Sequence, residues 1–302
     1  MTKAFPDTGE DPAHVELAHA KLNLGLKVLG ARGDGFHDIL SVFQSIDLAD
    51  RLLFHPSTDA GFSCSEPSLP TTEDNLVLKA QSRFSKAVPE AEALLPTLHL
   101  HLEKSIPVGA GLGGGSSDAA AALRGLNTLC GNPLDLQGLM RLGAEVGSDV
   151  PFCLQGGTAL VSGRGETLQP LPVPLPQWYF VVVFPGIFVS TKWAYESLGA
   201  KLTTSSPYLS FINSLRGGRV DLTGLLEDVE NDFQSVVERA NPIVAELVSG
   251  FDRNGALCSS MTGTGSTVYG IFDDRIAALA VCDELEADGH RSFFCEPVSP
   301  VA

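Results

Sequence analysis

The stretch PVGAGLGGGSSDAAAAL, residues 107–123, carries five glycines and two serines and then runs into alanine. A loop so bare is costly to order, because glycine loses the most backbone freedom on folding. An alternating segment, PTLHLHLEKSI (96–106), precedes it, and a helical run from Ser116 or Ser117 to about Cys130 follows, ended by GNP. Three anion-holding motifs share this strand–loop–helix order. Gly109, Gly111 and Gly114 match the dinucleotide pattern GxGxxG, but that motif needs a second parallel strand ending in an acid about twenty residues on. Here Asn132–Gly147 has helical spacing, and Asp135 reads as a helix cap. Gly109 to Gly114 also has P-loop spacing, yet Gly115 stands where that motif places its lysine. The third motif needs no lysine. Successive backbone N–H groups and a helix N-terminus hold the anion, and Ser116 and Ser117 add hydroxyls for phosphate oxygens or a bound Mg²⁺. The bland alternatives are a linker or a close helix–sheet contact; the tight flanking by strand and helix speaks against a linker.

Working outward, 302 residues suffice for two domains with separate cores. A hydrophobic content of 44% and a charged content of 19% describe a globular protein. The formal net charge is −16 and no basic run occurs, which excludes a phosphate-backbone binder and hence a nucleic-acid partner. An acidic protein that handles an anion must gather its few cations locally. The six cysteines show neither CxxC pairs nor zinc-ligand spacing, as expected for reduced thiols in a cytoplasmic protein. MTKAFPDTGEDP lacks the features of a signal or transit peptide, and the apolar run WYFVVVF is only strand-sized. The expectation is a cytoplasmic chain with no membrane partner and a mobile tail over 1–13.

VELAHAKLNLGLKV (15–28) alternates, placing His19, Lys21, Asn23 and Lys27 on one strand face. RGDGFH is a turn, and 38–56 reads as strand-rich with a bend at Asp47–Asp50. Residues 71–88 read as a capped helix and 134–147 as a second helix capped by Asp135. GSDVPFCLQGGTALVSGRGE (147–166) reads as a turn and a hairpin. The Pro-rich LPVPLPQ (171–177) marks a boundary between domains 1–170 and 171–302. Beyond it come a strand at WYFVVVF, mostly helical segments, a glycine turn with a strand at 256–272, a helix at 274–289 and a strand at 291–298. Strands and helices without regular βαβ alternation indicate the α+β class.

With three segments in order, the chain resembles the GHMP kinases, which phosphorylate small molecules such as galactose, homoserine and mevalonate. PVGAGLGGGSSDAAAAL is similar to their central phosphate-binding motif, AHAKLNLGLKVLGARGDGFHDILSVFQ (18–44) to the N-terminal motif, and SSMTGTGSTVYGIF (259–272) to the C-terminal one. AKLNLGL, RGDGFH, GSDVPF and MTGTGSTVYG together resemble the branch whose acceptor is CDP-methylerythritol, in the non-mevalonate (MEP) isoprenoid pathway. The resemblance implies a ribosomal-protein-S5-domain-2-like N-terminal domain, a ferredoxin-like C-terminal domain, and ligands in the cleft between them. It implies ATP with Mg²⁺ as co-substrate, no tightly bound cofactor, transfer of the γ-phosphoryl group to a tertiary 2-hydroxyl, and a monomer or homodimer.

By the same resemblance ATP lies on Pro107, Val108, Gly109, Ala110, Gly111, Leu112, Gly113, Gly114, Gly115, Ser116 and Ser117, with adenine near Asn75 and Lys104 and Ser117 as a metal ligand. Asp149 of GSDVPF is the catalytic carboxylate; on residues alone a turn or cap is the alternative. Lys21, with Asn23 on the same face, would stabilise the developing alkoxide and pair with Asp149; a solvated strand face is the alternative. Phe36 and His37 would meet the nucleobase, with Tyr195 on its other side, because stacking contributes roughly 1–3 kcal/mol per base. Phe36 stands where family members generally have Tyr, and Tyr195 where many have Phe. Thr191 lies one helical turn from Tyr195, if 191–195 is helical. Arg164 either reaches a diphosphate or caps its hairpin. Gly263, Thr264 and Gly265 close on substrate or phosphates, or form a plain turn. Phe36, His37 and Tyr195 separate this branch from homoserine or mevalonate kinases, and Lys21 with Asp149 argues against a non-catalytic nucleotide-binding protein. His99 and His101 share a strand face, which reads as solvent-facing rather than metal-binding.

Overall fold

The computed structural model describes residues 11–33, 35–171, 176–199, 206–216 and 223–300. Most of the expected tail and the centre of the Pro-rich joint, 172–175, lie outside these residues. Two sheets organise the chain. The first holds β1 (His14–Ala31), β2 (His37–Pro56), β3 (Gly61–Cys64), β4 (Leu98–Glu103), β5 (Thr158–Gly163) and β6 (Thr167–Pro170). β1 and β2 form a long antiparallel hairpin; on its other edge β2 pairs β5 through 39–44 and β4 through 51–56. β3 joins β4 in parallel, whereas the other strand pairs described are antiparallel. The bend expected at Asp47–Asp50 is absorbed within one continuous 20-residue strand.

Helices α1 (Leu76–Ala87), α2 (Ala91–Leu94), α3 (Gly114–Leu129), α4 (Leu136–Val146) and α5 (Val150–Gln155) complete this half. Ala119–Ala122 are fully buried, so α3 lies close against the sheet and against α1 and α5. α5 departs from the sequence reading. VPFCLQ is a single short turn of helix whose first five residues are all buried, so it shows no amphipathic period to read.

The second sheet has the antiparallel order β10-β7-β9-β8, built from β7 (Tyr179–Phe184), β8 (Cys258–Met261), β9 (Val268–Phe272) and β10 (Arg291–Cys295). Helices α6 (Thr191–Leu198), α7 (Pro207–Arg216), α8 (Gln234–Ala240), α9 (Pro242–Arg253) and α10 (Arg275–Ala287) belong to this half. α9 and α10 cover one sheet face through Val244, Leu247, Phe251, Ala278 and Val281, the ferredoxin-like arrangement. Phe180, Val182, Tyr269 and Ile271 on the opposite face share a core with Leu22, Leu24, Leu40 and Val42 of the first sheet. The two halves thus meet sheet to sheet, and β1 is covered on both faces. Beyond β10 the chain returns to the first sheet, where the Val298 N–H donates to the Ser45 carbonyl.

Candidate active site

The glycine loop leaves β4 and crosses the top of β1. Ala110 and Leu112 turn into the shared core and anchor it, while the Lys21 N–H donates to the Leu112 carbonyl at 3.0 Å. Gly113 starts α3 at φ 72° and offers no side-chain cap. The first N–H groups of α3 therefore have no acceptor inside the helix. Gly114, Gly115 and Ser116 border a cavity of about 330 Å³ lined also by Leu69, Leu76, Lys104 and Pro107–Gly113. The helix begins two residues earlier than the sequence suggests, which brings these glycines into its first turn, where the macrodipole favours an anion.

The two residues expected on the adenine side both make structural contacts of their own. Asn75 caps α1: its Oδ1 accepts from the Val77 N–H at 2.9 Å and its Nδ2 donates to the Pro70 carbonyl at 2.9 Å. Leu76 beside it borders the cavity instead. Lys104 does reach the cavity, but its ammonium is held between Asp50 and Asp118, the latter at 2.8 Å. Burial works against that charge, and the two carboxylates outweigh it, so the Lys104 pKa is raised. Burial and then the neighbouring Asp50 push the Asp118 carboxyl up to about 7 against the pull of Lys104. Ser117 is 2% exposed, and its hydroxyl donates to the His19 carbonyl at 2.6 Å. Of the two hydroxyls, Ser116 is the one that borders the cavity.

Lys21 is 5% exposed, which removes the solvated-face alternative. A Cβ on Gly113 would lie 2.9 Å from Lys21 Cγ, so the stem of the lysine runs directly past the glycine loop. Its ammonium donates to Asn23 Oδ1 at 2.6 Å, sits 4.5 Å from the centre of the Phe43 ring and faces Asp149 Oδ2 at 3.6 Å. Asp149 precedes α5 without capping it, and its side chain is 27% exposed. Gly147, two residues before it, approaches Ser116 Oγ. Lysine, carboxylate and glycine loop therefore meet at one place. Asn23 lies behind Lys21 with no exposed surface, so it serves the lysine rather than touching a ligand directly.

Around Asp149 the aromatic residues gather in a different pairing from the one expected. His37 stacks on Tyr195, with centroids 4.6 Å apart at 26°. Phe36, half exposed, carries the Arg164 guanidinium 4.9 Å above its ring. Burial, then the Asp149 charge, raises the Tyr195 hydroxyl to about 12 and keeps it protonated. Glu166 accepts from the Arg164 N–H at 2.6 Å, and a Cβ on Gly165 would come within 3.0 Å of Asp149 Oδ1. The 163–166 turn therefore leans on the carboxylate. Residues 191–195 are helical, and Thr191 Oγ1 lies 3.4 Å from Thr264 Oγ1. Gly263 packs against Gly111, so the second glycine loop closes on the first. His99 and His101 are half-buried and share Ser63 Oγ at 2.8 and 2.7 Å, so they do not face open solvent.

Sequence reasoning missed Asp50, Asp118, Asn231 and Thr262, all buried. Asp118 directly follows the glycine–serine stretch, and a carboxylate there was the one available signal.

The glycine loop, Lys21, Asp149 and the second glycine loop are thus brought side by side. Residues 75–157 match the GHMP kinases N terminal domain and residues 214–291 the GHMP kinases C terminal domain. The chain is 41% identical over 261 residues to a 4-diphosphocytidyl-2-C-methyl-D-erythritol kinase of Caldanaerobacter subterraneus subsp. tengcongensis, covering 85% of this chain and 87% of that one. Its identity to the same kinase of Gloeobacter violaceus is 38% over 288 residues, 92% of each chain. A crystal structure of 4-(cytidine 5'-diphospho)-2C-methyl-D-erythritol kinase superposes with a TM-score of 0.74 at 31% identity, covering 93% of this chain and 98% of that one. A homoserine kinase from Cytophaga hutchinsonii, at 20% identity and a TM-score of 0.72 over 99% and 98% of the chains, shares the fold. The chain belongs to the GHMP kinase family.

Proposed function

We propose that the protein transfers the γ-phosphoryl group of ATP to the 2-hydroxyl of 4-diphosphocytidyl-2-C-methyl-D-erythritol. The observation that carries this is the Lys21–Asp149 pair, 3.6 Å apart, set against the glycine loop on one side and the Phe36, His37 and Tyr195 cluster on the other. Phosphoryl transfer requires alignment, charge neutralisation and a destination for one proton. The triphosphate sits at the start of α3, where backbone N–H groups and Ser116 receive its oxygens. The acceptor hydroxyl enters beside Asp149, which takes its proton, and the Lys21 ammonium stabilises the negative charge developing on that oxygen. Phe36 and Tyr195 offer ring faces to the cytosine once His37 and Arg164 yield them, and Arg164 is then free for the diphosphate. A homoserine or mevalonate acceptor has no base to stack and would leave this cluster without a role.

A divalent ion would neutralise triphosphate charge when ATP binds. Among the described residues no group of three or more His, Cys, Asp or Glu could hold a metal, and Ser117 is committed to His19. Ser116 and the phosphates themselves fit that ion best. No helix among the described residues is long and apolar enough to cross a membrane.

The test is a panel of acceptors with Mg-ATP: the cytidine diphosphate ester, homoserine and mevalonate. Phosphorylation of the ester alone is expected, and turnover of a simple acceptor without the ester would refute the assignment. Asp149→Asn should lower kcat by about 10²–10⁴-fold while ATP binding persists.

A further inference from the structure

β8 ends at Met261, and the loop that follows connects both halves of the site. Thr262 is fully buried. Its Oγ1 accepts from the Asn23 N–H at 2.9 Å and donates to Asn23 Oδ1 at 3.3 Å. The same Oδ1 accepts from the Lys21 ammonium at 2.6 Å. Since an ammonium can only donate, the orientation of the Asn23 amide is fixed, and its Nδ2 donates to Ser41 Oγ at 3.0 Å. The Thr262 hydroxyl thus completes the shell that holds the amide oxygen toward Lys21, from 239 residues away.

The loop is itself locked. Asn231 is buried, and its Nδ2 donates to the Met261 carbonyl at 2.6 Å and the Gly263 carbonyl at 3.0 Å, on either side of Thr262. Its Oδ1 accepts from the Phe233 N–H at 3.0 Å. The backbone around Asn231 is added to β1: the Leu26 N–H donates to the Glu230 carbonyl and the Asp232 N–H to the Leu26 carbonyl. On its other side the loop meets the glycine loop so closely that a Cβ on Gly111 would strike the Thr262 carbonyl.

We propose that Thr262 is a positioning residue for phosphoryl transfer, its hydroxyl orienting Lys21 through Asn23 while Asn231 holds the loop in place. This rests on the role given to Lys21 above. Through Thr262 the C-terminal half contributes to the reacting geometry without that side chain touching substrate. A misplacement of about 1 Å in such a geometry is enough for roughly a 10²-fold loss of rate.

The test compares Thr262→Val, which keeps the volume and removes the hydroxyl, with Thr262→Ser, which keeps the hydroxyl. Thr262→Val should lower kcat about 10–100-fold with KM for ATP and acceptor within about twofold, whereas Thr262→Ser should stay within about threefold of wild type. Combined with Lys21→Met, Thr262→Val should add almost no further loss, because both act on one group. Asn231→Asp, which cannot donate to the two carbonyls, is a second route to the same selective loss of kcat. Wild-type kcat in Thr262→Val beside a crippled Lys21→Met, or additive losses in the double variant, would overturn this inference alone. Wild-type turnover in Lys21→Met would instead overturn the role of Lys21 and this inference with it.

Discussion

The side chains of Lys21, Lys27 and Lys104 are all largely covered, yet the protein neutralises two of them and leaves the third under-compensated. Lys27 lies between Glu230 at 2.5 Å and Asp232 at 2.7 Å, and Lys104 between Asp50 and Asp118. Lys21 has a neutral amide at 2.6 Å, an aromatic face and a single carboxylate at 3.6 Å. A buried cation clamped by two carboxylates holds chain segments together: Lys27 ties β1 to residues 230–232, and Lys104 ties β4 to β2 and α3. A buried cation with one distant partner keeps its field for a charge that arrives later. The same residue type is structural in two places and, in the reaction proposed above, reactive in one, and its partners decide which.

Replacing each lysine by methionine breaks the comparison in different places. Lys21→Met should show the largest effect, a fall in kcat of about 10³-fold, equivalent to roughly 4 kcal/mol of barrier. Its thermal midpoint should stay close to wild type, because methionine fills the space and removes a costly buried charge. Steady-state kinetics together with a melting curve check both parts. A variant that melts early and turns over normally would place Lys21 with the structural pair. Lys27→Met should do the opposite. It leaves two acids facing each other at the end of β1, and stability should drop by about 2–3 kcal/mol, less than for a fully buried pair because Glu230 keeps contact with water. Urea titration measures the drop, and kcat at a temperature where the variant is folded should remain within a few-fold of wild type.

This division was only half legible in the sequence. Alternation along 15–28 placed Lys21 and Lys27 on one face, but the same pattern reads as a solvated face, and three breaks in register along β1 disturb its period. The burial comes from the second sheet, whose docking no local pattern announces. The glycine loop was legible because strand, loop and helix are contiguous, so its chemistry is local. Asp149 carried no local signal at all; only the family resemblance of GSDVPF singled it out. Asp50, Asp118, Asn231 and Thr262 escaped because each is an ordinary polar residue until a partner tens or hundreds of positions away meets it. The aromatic cluster was found in composition but not in pairing, since which ring lies on which depends on the turns carrying Phe36, Arg164 and Tyr195.

The Lys104 clamp permits the finest distinction. Two carboxylates share one ammonium, and Asp118 Oδ1 has no hydrogen-bond partner, so one negative charge there is in excess. Burial first and Asp50 next raise the Asp118 carboxyl to about 7, whereas in the unfolded chain a carboxyl titrates near 4. Between those values the folded protein holds a proton that the unfolded chain has lost, so this group's contribution to stability declines as pH rises through that window and is flat above it. Asp118→Asn removes the titration and leaves Lys104 paired one-to-one with Asp50. Chemical denaturation at pH 5 and pH 8 should therefore show wild type losing about 2–3 kcal/mol more than the variant over that interval. If Lys104 instead required both charges, Asp118→Asn would be most destabilising at pH 8, where both carboxylates are ionised. The sign of that difference separates a lysine neutralised with a surplus of negative charge from one that needs two full partners.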